Sequence, residues 1–299
     1  MTGPGPSAGV DRAGSAVAAA SRLWRCAGRV LSLDRPCILG IVNLTPDSFS
    51  DGGRFPSPEA AVEAALAMEA EGADVIDVGG ESTRPGAEPV PADEEIRRVL
   101  PFLERAAPRL RVPISVDTTK VAVARAALDA GAEIVNDISG LRFEPALADL
   151  CAERGAGLVL MHIRGTPRTM QEDPRYEDVV AEVTAELRAS VETARARGCA
   201  DDQLVVDPGI GFGKTADHNL VLLNRLDALA ALGRPILVGP SRKSFIGKVL
   251  DLPVGERLEG TLAACVVALC RGARCFRVHD VRAARRALDL ADAILRAGG

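Results

Sequence analysis

The strongest constraint in this chain is an alternation, repeated eight times, of a short β-branched run with a longer helical segment. The runs are CILGIVN (37–43), DVIDVGG (74–80), VPISVD (112–117), EIVND (133–137), GLVLMH (157–162), LVVD (204–207), PILVG (235–239) and RCFRVHD (274–280). Because such alternation gives parallel strands joined by right-handed crossovers, eight units predict a closed (β/α)8 TIM barrel, of the α/β class. An open doubly wound sheet is the alternative, and it is disfavoured because no GxGxxG follows the first strand.

The chain divides into a tail and one domain. Residues 1–21 are rich in Gly, Ala and Pro and lack a basic start before an apolar core, so they predict a disordered tail rather than a secretory signal. Residues 22–299 are long enough for one barrel. Within them, WRCAGRVLSL (24–33) predicts a short hairpin that closes the bottom of the barrel.

Composition excludes several classes of partner. A net charge of -5 provides no basic field for nucleic acid, and no apolar run approaches the roughly 20 residues of a membrane span. The seven cysteines include no CxxC pair, which argues against a disulfide framework or a zinc motif. We therefore expect a cytoplasmic protein with buried, reduced cysteines.

Polar residues end nearly every predicted strand, at the mouth where barrel enzymes place their active sites. They are Asn43, Asp77, Asp117, Asn136, His162, Asp207, Ser241, Arg242, Lys243, Arg277 and His279. Each alone has an ordinary explanation: an aspartate such as Asp117 or Asp280 can cap a helix, Asp137 can shape a turn, and His162 can be a satisfied core histidine. Together they indicate a binding site.

The ring has two chemically different halves. Asp117, Asn136 and Asp207 suit a ligand with paired N–H donors, such as an amino-pyrimidinone ring. The cations after the last two strands suit a phosphate group. One ligand with a heterocycle at one end and phosphates at the other would satisfy both halves.

Two loops add to this prediction, and a third suggests a nucleotide site that its residues do not support. NLTPDSFSDGG (43–53) and GGESTRPGA (79–87) are glycine-rich and polar, and they predict mobile lids over a substrate. DPGIGFGKT (207–215) ends like a phosphate-binding P-loop, but Pro208 occupies the position of the first required glycine. A nucleotide loop is therefore not predicted there.

Eight motifs in order resemble those of the dihydropteroate synthase family. They are GIVNLTPDSFSDGG, DVIDVGGESTRPGA, ISVDTTK, NDISG, MHIRGTPRTMQ, DPGIGFGKT, GPSRKSFIG and RVHDV, and the similarity extends over residues 24 to 296. The resemblance implies condensation of 6-hydroxymethyl-7,8-dihydropterin diphosphate with p-aminobenzoate in a homodimer that uses Mg²⁺. In the family, the carbon–oxygen bond is thought to break before the amine attacks.

The resemblance also implies roles for individual residues. Asp117, Asn136, Asp207 and Lys243 correspond to pterin-binding positions. Asn43, Arg277 and His279 correspond to diphosphate-binding positions, with Asn43 also a ligand of Mg²⁺. Asp51 in the first loop, with Asn43, Lys243, Arg277 and His279, makes up the predicted catalytic set. The remaining predicted substrate contacts are Thr83, Arg84, Met161, Phe212 and Ser244.

Two other functions share part of this pattern. A pterin-binding methyltransferase would keep the aspartate and asparagine set but has no need of the first loop or of the cations for a diphosphate. A non-catalytic pterin-binding paralogue would be indicated by loss of Asn43, Lys243 or Arg277, and all three are present. The apolar stretch LAACVVALC (262–270) is compatible with a dimer interface through the late helices or with a buried helix.

Overall fold

The computed structural model describes residues 22–45 and 57–297. The predicted tail of residues 1–21, the predicted site residue Asp51 and most of the first loop lie outside these described residues. Nothing in the fold therefore bears on those three predictions.

The chain enters the described region through an antiparallel hairpin, as predicted. Strands β1 (Leu23–Cys26) and β2 (Arg29–Ser32) pair from Leu23 opposite Ser32 to Cys26 opposite Arg29. Trp24 is fully buried, and its Nε1 donates to the Gln203 carbonyl at 3.0 Å. It packs against residues near the start of the barrel strands, namely Leu39, Val75, Ile134, Val159, Val205, Leu237 and Cys275. The hairpin therefore closes the bottom of the barrel.

Eight parallel strands follow and form the barrel. They are β3 (Cys37–Asn43), β4 (Val75–Gly79), β5 (Ile114–Asp117), β6 (Ile134–Asp137), β7 (Gly157–Met161), β8 (Leu204–Asp207), β9 (Leu237–Val238) and β10 (Cys275–Val278). Their order is β8-β7-β6-β5-β4-β3-β10-β9. A parallel bridge between Val206 and Ile236 joins the two ends of this sheet. The predicted TIM barrel is confirmed.

Nine helices in the described residues surround the strands. They are α1 (Pro58–Ala70), α2 (Ala92–Ala106), α3 (Val121–Asp129), α4 (Ala146–Arg154), α5 (Val179–Ala196), α6 (Ala216–Asn224), α7 (Ser244–Leu250), α8 (Leu258–Cys270) and α9 (Val281–Arg296). Side-chain N-caps stabilise the first turns of several helices. At the start of α5, for example, Asp178 Oδ1 accepts hydrogen bonds from Val180 N and Ala181 N. Gly155, with a φ of 63°, ends α4.

The main apolar core lies between the strands and the helices. It includes Ile38, Ile76, Val116, Val135 and Leu158 from the outward faces of the strands. Because side chains alternate along a strand, the neighbours of these residues point into the barrel, where polar groups occupy the upper part. The outward face of each strand thus packs in the hydrophobic core, and the inward face contributes to the binding site.

Two further sequence predictions concern the chain as a whole. All seven cysteines are unpaired; six are buried and Cys270 is exposed. No helix in residues 22–45 or 57–297 is both long and apolar enough to cross a membrane. The absence of a disulfide framework is as predicted, whereas burial holds for every cysteine except Cys270.

Candidate active site

Acceptor groups from three strands meet at the mouth of the barrel. Asp117 and Asn136 are adjacent in register on β5 and β6, and Asp207 ends β8 beside Met161 of β7. Asp117, Asn136 and Asp207 are each more than nine-tenths buried. They line a narrow cavity of about 20 Å³ together with Ile138, Met161, Ile210, Phe212, Gly239, Lys243 and Arg277. The strand ends therefore bring the predicted acceptors together.

Arg277 lies across two of the carboxylates. Its Nε donates to Asp77 Oδ2 at 2.6 Å, and its Nη2 donates to Asp117 Oδ2 at 2.8 Å. Burial opposes the charge, but Asp77 and Asp117 more than offset this and raise the pKa of Arg277 further above its ordinary range. The Arg277 guanidinium is thus permanently charged, and its orientation is fixed by Asp77 and Asp117.

Burial also perturbs the acceptor carboxyls. It raises the pKa of Asp207 to about 6, although a hydrogen bond from Gly209 N and the charges of Lys243, Lys214 and Arg277 act against it. It raises the pKa of Asp117 as well, and Asp77 adds to this while Arg277 offsets it in part. Buried carboxylates with raised pKa values in a cavity are typical of a functional site.

Lys243 forms the opposite side of the cavity. Its ammonium lies 4.0 Å from the centre of the Phe212 ring, a cation–π geometry. Burial, followed by repulsion from Arg277, lowers the pKa of Lys243 to about 8. The preceding residue, Arg242, adopts a φ of 58°, and its N–H donates to Thr261 Oγ1 at 3.0 Å, which fixes the backbone that presents Lys243.

An apolar wall stands beside the acceptors. Phe212 and Met161 pack with Ile138, Ile163 and Met170 in a cluster that is separate from the main core. Acceptors facing an apolar wall suit a flat heterocycle whose edge donates hydrogen bonds and whose faces do not.

Other predicted residues lie nearer the rim. His279 Nδ1 is 3.0 Å from Ser241 Oγ, and Ser241 Oγ also accepts from His279 N at 3.2 Å. Asn43 is the last residue of β3 and is partly buried, whereas Ser244 is exposed at the start of α7. These side chains do not line the cavity described above.

Thr83 and Arg84 lie in the loop after β4. Arg84 borders an opening of about 370 Å³ whose lining shares no residue with the cavity at the strand ends. We place the chemistry at the strand ends because the buried carboxylates and cations meet there, whereas the larger opening is a surface groove of the loop. Thr83 is partly buried and lines neither space.

Two residues of the predicted ring, His162 and Arg242, have other partners. His162 turns away from the mouth, and its Nε2 lies 3.2 Å from Glu186 Oε2 on α5. Arg242 pairs with Asp280 at 2.6 Å, so Asp280 binds a cation instead of capping α9. Neither His162 nor Arg242 lines the cavity, and His162 is buried, as its core-histidine alternative predicts.

Sequence reasoning missed several residues that support the site. Asp77 was placed in the ring without a role, yet it is fully buried beneath Arg277. Lys120 joins Glu81 of the second loop to Glu95 on α2, at 2.6 Å from Glu95. The signal for Lys120 was its place directly after Asp117, Thr118 and Thr119, where a charged side chain can reach back to the loop after β4.

No group of three carboxylate, histidine or cysteine side chains that could hold a metal occurs in the described part of the chain. Asn43 offers one amide oxygen at the end of β3. Mg²⁺ often binds through one or two protein oxygens together with substrate phosphates and water. The residues present are therefore compatible with a metal that arrives with a phosphorylated substrate.

Comparison with known proteins agrees with this geometry. Residues 39–279 match the pterin binding enzyme family. A dihydropteroate synthase of Synechocystis is 50% identical over 263 residues, which are 88% of this chain and 91% of that protein. The enzyme of Escherichia coli is 47% identical over 90% of this chain and 95% of its own length.

Solved structures show the same relationship. A Yersinia pestis dihydropteroate synthase in a sulfonamide complex superposes with a TM-score of 0.87 at 42% identity, over 92% of this chain and 100% of that one. A Xanthomonas albilineans enzyme in complex with 7,8-dihydropteroate gives a TM-score of 0.82 at 44% identity, over 91% and 99%. With its barrel, its eight motifs and its buried acceptors, this chain belongs to the pterin-binding enzyme family as one of the dihydropteroate synthases.

Proposed function

We propose that this protein joins 6-hydroxymethyl-7,8-dihydropterin diphosphate to p-aminobenzoate, giving 7,8-dihydropteroate and diphosphate. The observation that carries the proposal is the meeting of Asp117, Asn136 and Asp207 with Lys243 and Arg277 in one cavity. Solved relatives from Xanthomonas albilineans contain 4-aminobenzoic acid or 7,8-dihydropteroate, which supports these ligands for the present chain.

The acceptors select the pterin. Ionised Asp207 can accept two N–H groups from the amino-pyrimidinone edge, while Asn136 can both donate and accept. Asp117 has one oxygen engaged by Arg277, so its other oxygen is available to the ring. Lys243 can donate to the pterin carbonyl from the side of Phe212.

The diphosphate would lie toward Asn43, Arg277 and His279. His279 is placed by Ser241, and Arg277 is fixed by two carboxylates, so both side chains are positioned before the substrate arrives. Asn43 would hold Mg²⁺ together with the diphosphate, and the metal would neutralise charge on the leaving oxygens. Asp51 is also proposed as a site residue.

The aminobenzoate would approach over the apolar wall. Phe212 and Met161 offer an aromatic ring and a thioether to the benzene ring. Ser244, Thr83 and Arg84 are proposed contacts for its more exposed end, because hydroxyl and guanidinium groups pair with carboxylates.

The reaction replaces one bond at the pterin methylene. The bond from this carbon to the diphosphate oxygen breaks, and the oxygen keeps the electron pair. The aniline nitrogen supplies a pair to the same carbon and loses one proton, which passes to diphosphate or water. Arg277 and His279 stabilise the charge that grows on the leaving oxygens, and a dry site strengthens that effect. A neutral aniline needs no strong base.

The direct test is to mix purified protein with both substrates and Mg²⁺ and to quantify 7,8-dihydropteroate with and without EDTA. We expect product that depends on the metal, and its loss in Lys243→Met, which lacks one of the two cations that line the cavity. Binding of the pterin diphosphate without turnover would favour a non-catalytic paralogue. Methyl transfer from methyltetrahydrofolate, with no dihydropteroate formed, would favour the methyltransferase.

We also propose a homodimer through the late helices in a reducing cytoplasm. Exposed apolar residues occur on α6 to α9 and between them, including Leu220, Val249, Val254, Val267, Leu290 and Ile294. Such patches are typical of interaction surfaces. Light scattering on the purified protein tests this: a single monomeric mass at micromolar concentration would contradict the dimer.

A further inference from the structure

Lys214 is the lysine of the GKT sequence that resembled a P-loop, but its ammonium points into the protein. The residue is 2% exposed. Its Nζ lies 2.9 Å from His162 Nδ1, 2.9 Å from the Phe212 carbonyl oxygen and 3.5 Å from the His162 carbonyl oxygen. Three acceptors match the three donors of an ammonium, so none is left for a phosphate.

His162 continues this network as a neutral ring. Burial lowers its pKa to about 4, which leaves Nδ1 free to accept from Lys214 and puts the proton on Nε2, facing Glu186. Glu186 Oε1 in turn accepts from Arg164 Nη2 at 2.7 Å. The buried ammonium is therefore linked through one imidazole to a partly exposed carboxylate.

These contacts join the loop after β7 to the loop after β8. Gly209 has a φ of 67°, and a Cβ there would lie 1.9 Å from the His162 carbonyl oxygen. Tyr176 Oη donates to the Gly213 carbonyl at 2.8 Å, and Gln171 Nε2 donates to the Gly211 carbonyl at 3.0 Å. The backbone of residues 208–213 is thus held from one side along its length.

The same loop carries both halves of the proposed site. Asp207 begins it, and Phe212, whose carbonyl Lys214 binds, sits on the aminobenzoate side. The cations that act on Asp207 are Lys243, Lys214 and Arg277. Burial lowers the pKa of Lys214 to about 7, so its side chain is an ammonium in the acid range where Asp207 titrates; the charged groups around it are Asp207, Glu186, Arg164 and Lys243. Of the three cations near Asp207, Lys243 and Arg277 line the cavity and Lys214 does not.

We infer that Lys214 is a positioning residue of the synthase reaction: its hydrogen bond fixes Phe212, and its charge keeps Asp207 ionised for pterin binding. The inference rests on the proposed function. It assigns to one buried side chain two separable effects, one on the aminobenzoate and one on the protonation of the pterin acceptor.

The test compares Lys214→Met, which removes both effects, with Lys214→Gln, which lacks the charge but can still donate to the Phe212 carbonyl. Lys248→Met, which removes an exposed lysine from α7, is the matched control. The kcat/KM for the pterin diphosphate is measured from pH 5 to 8, with the KM for p-aminobenzoate at pH 8.

We expect the acid limb of kcat/KM to move up by about one pH unit in both Lys214 variants, the lower end of what a neighbouring charge does to a carboxyl pKa. The KM for p-aminobenzoate should rise about tenfold in Lys214→Met and be largely restored in Lys214→Gln, a hydrogen-bond-sized effect. The control should match the parent protein. An equal loss at every pH would overturn the inference, since a merely structural role predicts that result.

The inference can still be tested if Lys214→Met does not fold or if the parent protein is inactive. If Lys214→Met does not fold, Lys214→Gln still tests the charge, because it too is neutral. If the parent protein makes no dihydropteroate, the proposed function fails separately. The pH dependence of 6-hydroxymethylpterin binding, followed by calorimetry, then tests the effect of Lys214 on Asp207 without turnover, and an unchanged acid limb overturns it.

Discussion

Asp207→Asn should stabilise the free protein while it removes pterin binding. Asparagine keeps an oxygen that can accept from Gly209 N, the bond that Asp207 Oδ1 makes at 2.7 Å, so the turn is preserved. What the substitution removes is a carboxylate that burial penalises. Three cations lie near, but the raised pKa already includes their attraction. In the free protein this carboxyl is therefore better accommodated when it is neutral.

The magnitude follows from the pKa. A rise from an ordinary 3.8 to about 6, at about 1.4 kcal/mol per pH unit, corresponds to about 3 kcal/mol. The pKa of Asp207 is higher in the folded protein than in the unfolded chain. The contribution of this carboxyl to the free energy of unfolding is therefore fully present below pH 3.8 and is lost as the pH rises through about 6. Asp207→Asn should therefore match the parent near pH 4 and exceed it by about 3 kcal/mol, or about 5 °C in Tm, at pH 8.

The assay is thermal unfolding of ligand-free protein at several pH values between 4 and 8, paired with calorimetric titration of 6-hydroxymethylpterin at pH 8. Asp227→Asn, at an exposed aspartate in the 3₁₀ segment Leu226–Leu232, has the same change in charge and serves as the control. A Tm for Asp207→Asn that is no higher than the parent's at pH 8, or a difference that does not depend on pH, would refute the reasoning.

Three other substitutions test separate parts of the site. Asp77→Ala removes a buried partner of Arg277 and should lower the free energy of unfolding by about 3 kcal/mol, measured in urea; an unchanged midpoint would contradict this. Phe212→Ala should raise the KM for p-aminobenzoate about tenfold, or about 1.4 kcal/mol, and an unchanged KM in steady-state kinetics would contradict its place beside the aminobenzoate. Gly209→Ala, whose Cβ would lie 1.9 Å from the His162 carbonyl oxygen, should cost about 3 kcal/mol on unfolding, whereas Gly233→Ala, with open space around it, is the control.

The strands were predictable from sequence wherever an apolar run ended in ordinary residues. The run at 37–43 coincides with β3, because apolar residues fill both faces of a buried parallel strand. The run at 235–239 shortens to Leu237–Val238. Pro235 and Pro240 flank the run and lack the N–H groups that a ladder needs, so only an isolated bridge from Ile236 to Val206 extends the pairing.

The ring at the mouth was predictable in composition but only partly in direction. Met161 lies beside Asp207 in register and faces the cavity, so the next residue, His162, points to the other side, as strand alternation requires. The alternation is visible in the sequence and places His162 on the opposite side of the strand from the ring. What the sequence could not supply is the partner: Glu186 is 24 residues away on α5, and a periodicity does not reveal which helix position meets the histidine.

The pairing of Arg277 changes how its role in the site is understood. As a predicted diphosphate ligand it would act on charge alone, but its Nε and Nη2 are engaged by Asp77 and Asp117. The guanidinium therefore also fixes which oxygen of Asp117 is left for the pterin. Arg277 is partly buried between two carboxylates. These carboxylates already neutralise part of its positive charge, so its attraction for a diphosphate is reduced. The additional stabilisation that the leaving group needs would then come from the rim, where His279 and a metal held by Asn43 are proposed to lie. In the proposed site, the pterin half and the diphosphate half would thus be coupled through Arg277 rather than independent.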